Sequence, residues 1–316
     1  MADRRHVIFG TGPAGIWTAR ALAEMGHAVR AVNRTGQRPG LLPSDVEVLA
    51  ADASDPRQAA DASRDASVIY QALNPPYDKW HELFPPLQRA VMDAARAAGA
   101  RYVSIDNLYG YGAVAGTLTE AAPPNPNSKK GRLRAGMTRE VLEAHERGDL
   151  STAILQSSDY YGPGVIQSQF GERTFKPMLA GKAADVSGSA DLPHSYAYIE
   201  DVGRAAAVLG TRDEALGRVW FAPHAPAMTQ RAMVEDACRQ IGIAPRVRVI
   251  GPVMMRLAGL FVPAARESVE MLYQFTEPWV LSSNAVESAF GLAPTPITEG
   301  LRRTLQWYRE RVASRQ

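Results

Sequence analysis

Short apolar runs alternate with longer amphipathic stretches along the first half of the chain. The runs have the length and composition of buried parallel strands, and lie at residues 7–9, 28–32, 46–49, 67–73, 101–105 and 152–156. Apolar residues at helical spacing mark the longer stretches, at residues 16–25, 80–98 and 130–147. This alternation predicts an α/β fold, a Rossmann-type doubly wound parallel sheet with helices on both faces.

The junction between the first strand and the first helix carries a glycine motif of the form G-x-G-x-x-G. It reads Gly10-Thr11-Gly12-Pro13-Ala14-Gly15-Ile16. In a strand–turn–helix context, these glycines allow a tight turn, a close approach to a pyrophosphate and close packing of helix on strand. The N–H groups at the start of the helix then face the phosphates. We therefore expect a bound dinucleotide at residues 10–16.

The end of the second strand indicates which dinucleotide is bound. NAD sites usually place an acidic residue there to bind the ribose hydroxyls. This chain has Asn33 followed by Arg34, and Arg38 adds a second positive charge. A guanidinium binds a 2′-phosphate that a carboxylate would repel, so the sequence favours NADP over NAD. The alternative is that Arg34 is an ordinary solvated surface residue.

Other positions at the ends of predicted strands are expected to line the same cofactor. Asp52 and Ala53 follow the third strand, where the carboxylate can accept a hydrogen bond from the adenine amino group. Capping of the next helix by Ser54 or Asp55 can hold at the same time. The fourth strand ends in Ala72 and Leu73, and the rigid turn Asn74-Pro75-Pro76-Tyr77 follows it. Ala72, Leu73 and Asn74 are expected to contact the cofactor, and the turn is expected to lie over it.

These features divide the chain into two parts. We expect a dinucleotide-binding Rossmann domain at residues 1–155, with a segment near residues 195–222 returning to it, and mostly a smaller C-terminal substrate lobe at residues 156–316. Within that lobe, residues 249–265 are apolar but interrupted by glycine and proline. They are too short to span a bilayer, so we expect core or a lid over a pocket.

Composition excludes several kinds of function. The net charge is only +2 and the arginines alternate with acidic residues, which gives no indication of nucleic-acid binding. The six histidines are scattered and Cys238 is the only cysteine, so neither a metal site nor an internal disulfide is expected. Cys238 lies in an apolar helical pattern and is expected in the core. We expect a cytoplasmic protein without a membrane segment.

The ordered set of motifs resembles the extended short-chain dehydrogenases, above all the sugar-nucleotide epimerases and dehydratases. The resemblance covers nearly the whole chain. It rests on the glycine turn and on the segments Ser104-Ile105-Asp106-Asn107-Leu108-Tyr109-Gly110, Tyr161-Gly162-Pro163-Gly164 and Tyr198-Ile199-Glu200-Asp201-Val202. It implies a nicotinamide cofactor, with Tyr161 on the nicotinamide side.

The chain departs from the catalytic residues that this resemblance implies. The family uses a Ser or Thr with a Tyr and a Lys spaced Y-x-x-x-K, whose lysine lowers the pKa of the tyrosine. The matching positions here hold Ile105, Lys130 and Arg134. The chain is thus similar to an atypical member of the superfamily. We expect Lys130 to bind the cofactor ribose or stabilise an oxyanion without giving up a proton.

Three other residues are candidates for proton transfer. Asp106 follows a parallel strand where ligands bind, at a position where the dehydratases carry an acid, although it can equally serve as a cap or structural hydrogen-bond acceptor. Tyr109 is a phenol at a position that often packs in the core. His194 lies in a polar segment, either facing the substrate or solvated.

Two functional hypotheses remain open from the sequence. One is an NADP-dependent reductase, epimerase or dehydratase with a rearranged site and a small polar, carbonyl or enone substrate. The other is a sensor or scaffold that binds NADP(H) without turnover. Apolar stripes at residues 80–98 and 130–147 also predict a homodimer through these helices, unless they face the chain's own sheet.

Overall fold

The centre of the protein is a seven-stranded sheet, seen in a computed structural model that describes residues 5–259 and 267–313. Its strand order is β3-β2-β1-β4-β5-β7-β12, and every pairing is parallel. The strands are β1 (Arg5–Phe9), β2 (Val29–Asn33), β3 (Glu47–Ala50), β4 (Ala66–Gln71), β5 (Arg101–Asn107), β6 (Thr117–Leu118), β7 (Thr152–Ser157), β8 (Tyr160–Tyr161), β9 (Ala184–Ser187), β10 (Pro193–His194), β11 (Ala197–Tyr198), β12 (Val219–Phe221), β13 (Met228–Thr229), β14 (Val247–Ile250) and β15 (Val280–Leu281). The strands outside the sheet form short pairs.

Helices cover both faces of this sheet, as the sequence predicts. They are α1 (Pro13–Glu24), α2 (Pro56–Ala62), α3 (Trp80–Ala98), α4 (Lys129–Glu146), α5 (Glu172–Leu179), α6 (Ile199–Thr211), α7 (Gln230–Ile241), α8 (Pro252–Gly259), α9 (Tyr273–Thr276), α10 (Asn284–Phe290) and α11 (Ile297–Ala313). One apolar cluster lies between the sheet and helices α1 and α6. A second lies under α2, α3 and α4 on the opposite face. The doubly wound α/β fold is therefore confirmed.

The apolar stripes of α3 and α4 face the chain's own core. Val91, Ala94, Ala95 and Val141 are buried in the cluster beneath the sheet. This matches the alternative in which the stripes pack inward, so they do not supply an exposed dimer interface. The homodimer stays a prediction without support from these residues.

A third apolar cluster belongs to the C-terminal part of the chain and joins α5, β9, α7 and α11. Cys238 is buried there as predicted, with 1% of its surface exposed. The described part of the apolar stretch at 249–265 is different, because Val253 and Leu257 are 69% and 59% exposed. The core alternative is therefore wrong for this face of α8, and the lid alternative stays a prediction. Residues 260–265 of that stretch lie outside the described residues.

The carboxyl ends of the sheet strands converge on one edge. In a parallel sheet, the segments that follow β1, β4, β5 and β7 emerge side by side, and ligands bind there. Among the described residues, no helix is both long enough and apolar enough to cross a membrane.

Candidate functional site

The glycine loop after β1 has the geometry of a phosphate-binding turn. Gly10 has a φ of +106°, and a Cβ there would lie 2.5 Å from the Ala72 carbonyl oxygen. A Cβ on Gly15 would lie 1.9 Å from the Gly10 carbonyl oxygen, whereas one on Gly12 would meet nothing within 4 Å. No side chain caps the start of α1. The space at Gly12 and the uncapped helix start can thus receive a pyrophosphate.

The loop after β2 is organised by Asn33. Its Oδ1 accepts hydrogen bonds from the N–H groups of Thr35 and Gly36, and its Nδ2 donates to Thr11 Oγ1 at 3.1 Å. A further bond runs from Nδ2 to the Gln37 carbonyl. Asn33 therefore joins this loop to the glycine loop through its amide, and its predicted contact with the cofactor stays a prediction.

The two arginines of this loop differ in availability. Arg38 is exposed and donates to the carbonyl oxygens of Pro43 at 2.6 Å and Val46 at 2.7 Å, so its guanidinium closes the loop, while its predicted charge toward the cofactor stays a prediction. Arg34 is exposed and has no ion-pair or hydrogen-bond partner within the part of the chain that the structure describes. Arg34 is the guanidinium that remains available to a phosphate.

Asp52 lies within electrostatic range of Arg34. Its Oδ1 accepts hydrogen bonds from the Ser54 hydroxyl at 2.7 Å and the Ser54 N–H at 2.9 Å. These bonds lower the pKa of Asp52, and the positive charge of Arg34 lowers it further. The carboxylate is thus held ionised and partly exposed, next to the buried Ala53. Across the glycine loop, Ala72 and Leu73 are half-buried and Asn74 is exposed at the end of β4.

Lys130, at the family's tyrosine position, is not a free cation. Its side chain is 2% exposed, and its ammonium pairs with Glu267 and with Glu270, the latter at 3.4 Å. The same ammonium lies 4.4 Å from the ring centroid of Tyr77. The expected role on ribose or on an oxyanion is therefore corrected for this state, because two carboxylates already bind the ammonium.

Glu270 also holds the start of α4. Its carboxylate accepts the N–H groups of Lys129 at 2.8 Å and Lys130 at 3.2 Å, while Ser128 caps Gly131. A carboxylate at a helix N-terminus is favoured by the helix dipole. The segment at residues 267–271 is thereby attached to the amino end of α4.

Asp106 is paired, which removes it as a free acid. Arg134, at the family's lysine position, donates from Nε to Asp106 Oδ1 at 2.6 Å and also pairs through Nη2. Thr138 donates to the other carboxylate oxygen at 3.2 Å, and both charged side chains are 2% exposed. Of the two interpretations that the sequence left open for Asp106, the structural one holds.

Tyr109 belongs to a group of aromatic side chains at this edge. Its ring stacks on Trp80 with 5.9 Å between centroids, and its hydroxyl is near enough to that of Tyr77 for each to affect the other's pKa. Burial is the main cause that raises the pKa of both phenols. They are therefore held as neutral hydrogen-bond donors.

His194 is buried rather than solvated, with 3% of its side chain exposed. Its Nε2 lies 3.1 Å from Asp159 Oδ2, and its Nδ1 lies 3.0 Å from the Gln274 carbonyl oxygen. The ring stacks between Tyr196 and Phe275. His194 thus joins the site through Asp159, which sequence reasoning missed.

Tyr161 has its side chain in the C-terminal core. Its side chain is 1% exposed within the third apolar cluster, where its ring packs 5.4 Å from that of Tyr198. A Cβ on Gly300 of α11 would lie 2.5 Å from the Tyr161 hydroxyl. The side chain is therefore a core residue, and the place of this turn on the nicotinamide side stays a prediction.

The residues that sequence reasoning missed had different signals. Asp159 follows β7 at the same edge as Tyr109 after β5, and that position alone marked it as a candidate. Tyr77 stood in the turn predicted over the cofactor but was not assigned chemistry. Glu267 and Glu270 are more than a hundred residues from Lys130 in sequence, and no local pattern links them.

Comparisons with known proteins agree with the glycine-loop geometry. Residues 10–161 match the sequence model of an NAD(P)H-binding family. A curated relative from Arabidopsis thaliana, 3β-hydroxysteroid dehydrogenase/decarboxylase isoform 2, is 23% identical over 88% of this chain and 54% of its own length. The chain therefore spans about half the length of that relative.

Solved structures share the fold over nearly their whole length. MoeE5, bound to UDP-glucuronic acid and NAD, has a TM-score of 0.78 at 22% identity, covering 97% of this chain and 99% of its own. UDP-glucuronic acid 4-epimerase from Bacillus cereus, with UDP-glucuronic acid and NAD, has 0.78 at 17% identity and the same coverage. DesIV, the dTDP-glucose 4,6-dehydratase from Streptomyces venezuelae, has 0.78 at 18% identity over 98% of both chains. Residues 10–161 are thus similar to an NAD(P)H-binding domain, and the chain shares the fold of these epimerase and dehydratase structures.

Proposed function

We propose that the protein is an NADP(H)-dependent oxidoreductase or epimerase/dehydratase-like enzyme with a non-standard active site. The observation that carries this proposal is the state of α4, where Lys130 and Arg134 occupy the family's Tyr and Lys positions and both are paired with carboxylates. A phenol activated by a neighbouring lysine is therefore absent from that helix. The proposed substrate is a small polar, carbonyl or enone compound.

The residues of the glycine loop, Arg34 and Asp52 fit a bound NADP. The space at Gly12 suits the pyrophosphate, Arg34 suits a 2′-phosphate, and the ionised Asp52 suits the adenine amino group. When bound, the cofactor supplies or accepts a hydride. The chain's own residues would orient the substrate at the ends of β4, β5 and β7 and exchange its proton.

The test combines turnover with cofactor binding. In one assay the protein would be mixed with NADPH and aldehydes, cyclic enones or keto-sugars. In the reverse assay it would be mixed with NADP and the matching alcohols. The nicotinamide absorbance is followed in both. Turnover by the wild type and none by Gly12→Val, which blocks the phosphate turn, would support the proposal. Tight NADPH binding without turnover of any compound would contradict it.

A second candidate is an NADP(H)-binding sensor without turnover. The observation that favours it is that Glu267 and Glu270 bind the Lys130 ammonium, which leaves no free cation for a substrate oxygen there. In that case NADPH binding would change proteolytic protection of residues 267–276 while no compound of the panel reacts. Unchanged protection on binding would contradict the sensor.

A further inference from the structure

A carboxylate outside the family's catalytic positions lies at the carboxyl end of β7, the strand next to the outermost strand β12. Asp159 follows β7 after one residue, and its Oδ2 lies 3.1 Å from His194 Nε2. Because the Gln274 carbonyl only accepts hydrogen bonds, His194 Nδ1 donates to it at 3.0 Å. With Nδ1 donating to that carbonyl, Nε2 donates to the ionised Asp159 in the doubly protonated ring, so the contact is an imidazolium–carboxylate pair; Nε2 also lies 3.4 Å from Ser158 Oγ.

The side chain of Asp159 is more exposed to solvent than that of its partner His194. Its side chain is 24% exposed, against 3% for His194. Its Oδ1 has no hydrogen-bond partner among the residues that the structure describes, since the bonds of this carboxylate are made by Oδ2. One oxygen is thus anchored in the protein and the other can reach a ligand.

Five phenols lie within electrostatic range of this carboxylate. Burial raises the pKa of each, and the negative charge of Asp159 raises each of these pKa values further. The five are Tyr77, Tyr109, Tyr160, Tyr196 and Tyr273. The hydroxyl of Tyr273 is buried without a hydrogen-bond partner in the described part of the chain. Arg173 is a cation in range of the same charge. A ligand oxygen beside Asp159 would therefore meet neutral hydroxyl donors.

We propose that Asp159 is the catalytic base of this protein and accepts the proton of a substrate hydroxyl, with His194 as its positioning residue. In this step the substrate O–H bond breaks and its proton forms an O–H bond with Asp159 Oδ1. The C–H bond electrons leave as hydride to NADP, the oxidant, and the carbonyl double bond forms. The inference rests on the proposed function and deepens it.

Other charged groups at this end of the sheet already pair with oppositely charged side chains. Asp106 is neutralised by Arg134, and Lys130 is bound by two carboxylates. The raised pKa of the phenols keeps them protonated, so they donate hydrogen bonds to the substrate oxygen instead of taking its proton. Asp159 remains the carboxylate that is both anchored and exposed at the end of β7.

The experiment uses 4-nitrophenol as a probe, with the full chain saturated with NADP. The absorbance of the bound probe tells phenol from phenolate without hydride transfer. In the wild type the probe is expected to bind as the phenol, which donates to Asp159. Asp159→Asn removes the negative charge, so the remaining hydroxyl donors should shift the bound probe at least tenfold toward phenolate. The matched control is Asp191→Asn, an exposed carboxylate of the same half of the chain.

His194 is tested by a pair of variants. His194→Gln keeps a donor toward Asp159 and should retain the wild-type spectrum, whereas His194→Leu should lose the preference for the phenol. The inference is overturned if the wild type does not bind the probe at millimolar concentration, or if Asp159→Asn binds it in the same ionisation state. Absence of turnover with every acceptor would refute the proposed function instead, because the probe needs no reaction. Where turnover is found, Asp159→Asn should lower kcat at least a hundredfold at unchanged affinity for NADPH.

Discussion

Two cations one turn apart on α4 are both paired with carboxylates, yet their surroundings give them different roles. Arg134 and Asp106 are each 2% exposed, and the Arg134 guanidinium lies over the rings of Phe84 and Trp80. Lys130 is equally buried, but its partners Glu267 and Glu270 are 30% and 25% exposed. Water can therefore reach Glu267 and Glu270 and replace them at the Lys130 ammonium. The pair of Arg134 with Asp106 is buried on both sides, so water does not replace either partner there.

The first prediction concerns the buried pair. Arg134→Met should lower the free energy of unfolding by about 3–5 kcal/mol, because it leaves the Asp106 carboxylate buried without its partner. The double variant Arg134→Met with Asp106→Leu should recover most of that loss, since neither charge remains. Urea unfolding of the three proteins measures this. Equal stability of Arg134→Met and wild type would show that the pair is solvated.

The second prediction concerns Arg34 and cofactor choice. Arg34→Ala should weaken NADPH binding by about 1.5–3 kcal/mol, the range for a hydrogen bond to a charged group, and leave NADH binding unchanged. Isothermal titration calorimetry with both cofactors gives the difference. Arg64→Ala, a surface arginine paired with Asp61, is the matched control. Equal affinity of the wild type for NADPH and NADH would contradict the proposed preference for NADPH.

At the scale of elements, local pattern determined most of what could be predicted. Helix α3 covers residues 80–98 as expected and ends at Gly99, whose φ of +57° is left-handed. The glycine turn and Asp52 were equally local, since their roles depend on neighbours within a few residues. The partners of Lys130 and the contact of Asp159 with His194 depend on segments far apart in sequence, which periodicity cannot detect. The exposed face of α8 was also not predicted, but here the local sequence was misleading, because its apolar composition alone suggested burial.

The third prediction separates two glycines of the same loop. A side chain at Gly12 meets open space, so Gly12→Val should fold normally and lose NADPH binding at least a hundredfold. A side chain at Gly15 collides with the backbone of Gly10, so Gly15→Ala should destabilise the fold itself. Thermal unfolding and NADPH titration of both variants check this. Retained NADPH affinity in Gly12→Val would place the pyrophosphate elsewhere.

At the scale of the whole molecule, the candidate site is where the sheet meets the later part of the chain. Residues 267–271 hold the start of α4 through Glu270, and His194 is held by the carbonyl of Gln274. Thus α4 and Asp159 both depend on one segment of the chain between α8 and α10. A ligand that displaced Glu267 or Glu270 from Lys130 would alter both contacts together.

Near the amino ends of the strands, opposite the candidate site, a buried histidine makes the free energy of unfolding depend on pH. His6 on β1 is 4% exposed, and its Nδ1 lies 3.0 Å from the Tyr70 hydroxyl. Burial, the largest cause, and the nearby charges of His27 and Arg101 together lower the pKa of His6 from 6.5 to about 4. The unfolded chain therefore binds a proton at a higher pH than the folded chain does.

The fourth prediction follows from the sign of that shift. The stability that neutral His6 contributes is fully present above pH 6.5 and is lost as the pH falls toward about 4. The loss should be on the order of 3 kcal/mol over this interval, at about 1.4 kcal/mol for each pH unit. His6→Gln cannot titrate, so urea unfolding between these pH values should show a shallower fall for it than for the wild type. The control His81→Gln changes an exposed histidine on α3 and should keep the wild-type slope. If His6→Gln lost stability as steeply as the wild type, other groups would govern the acid limb, and the buried imidazole would not be its cause.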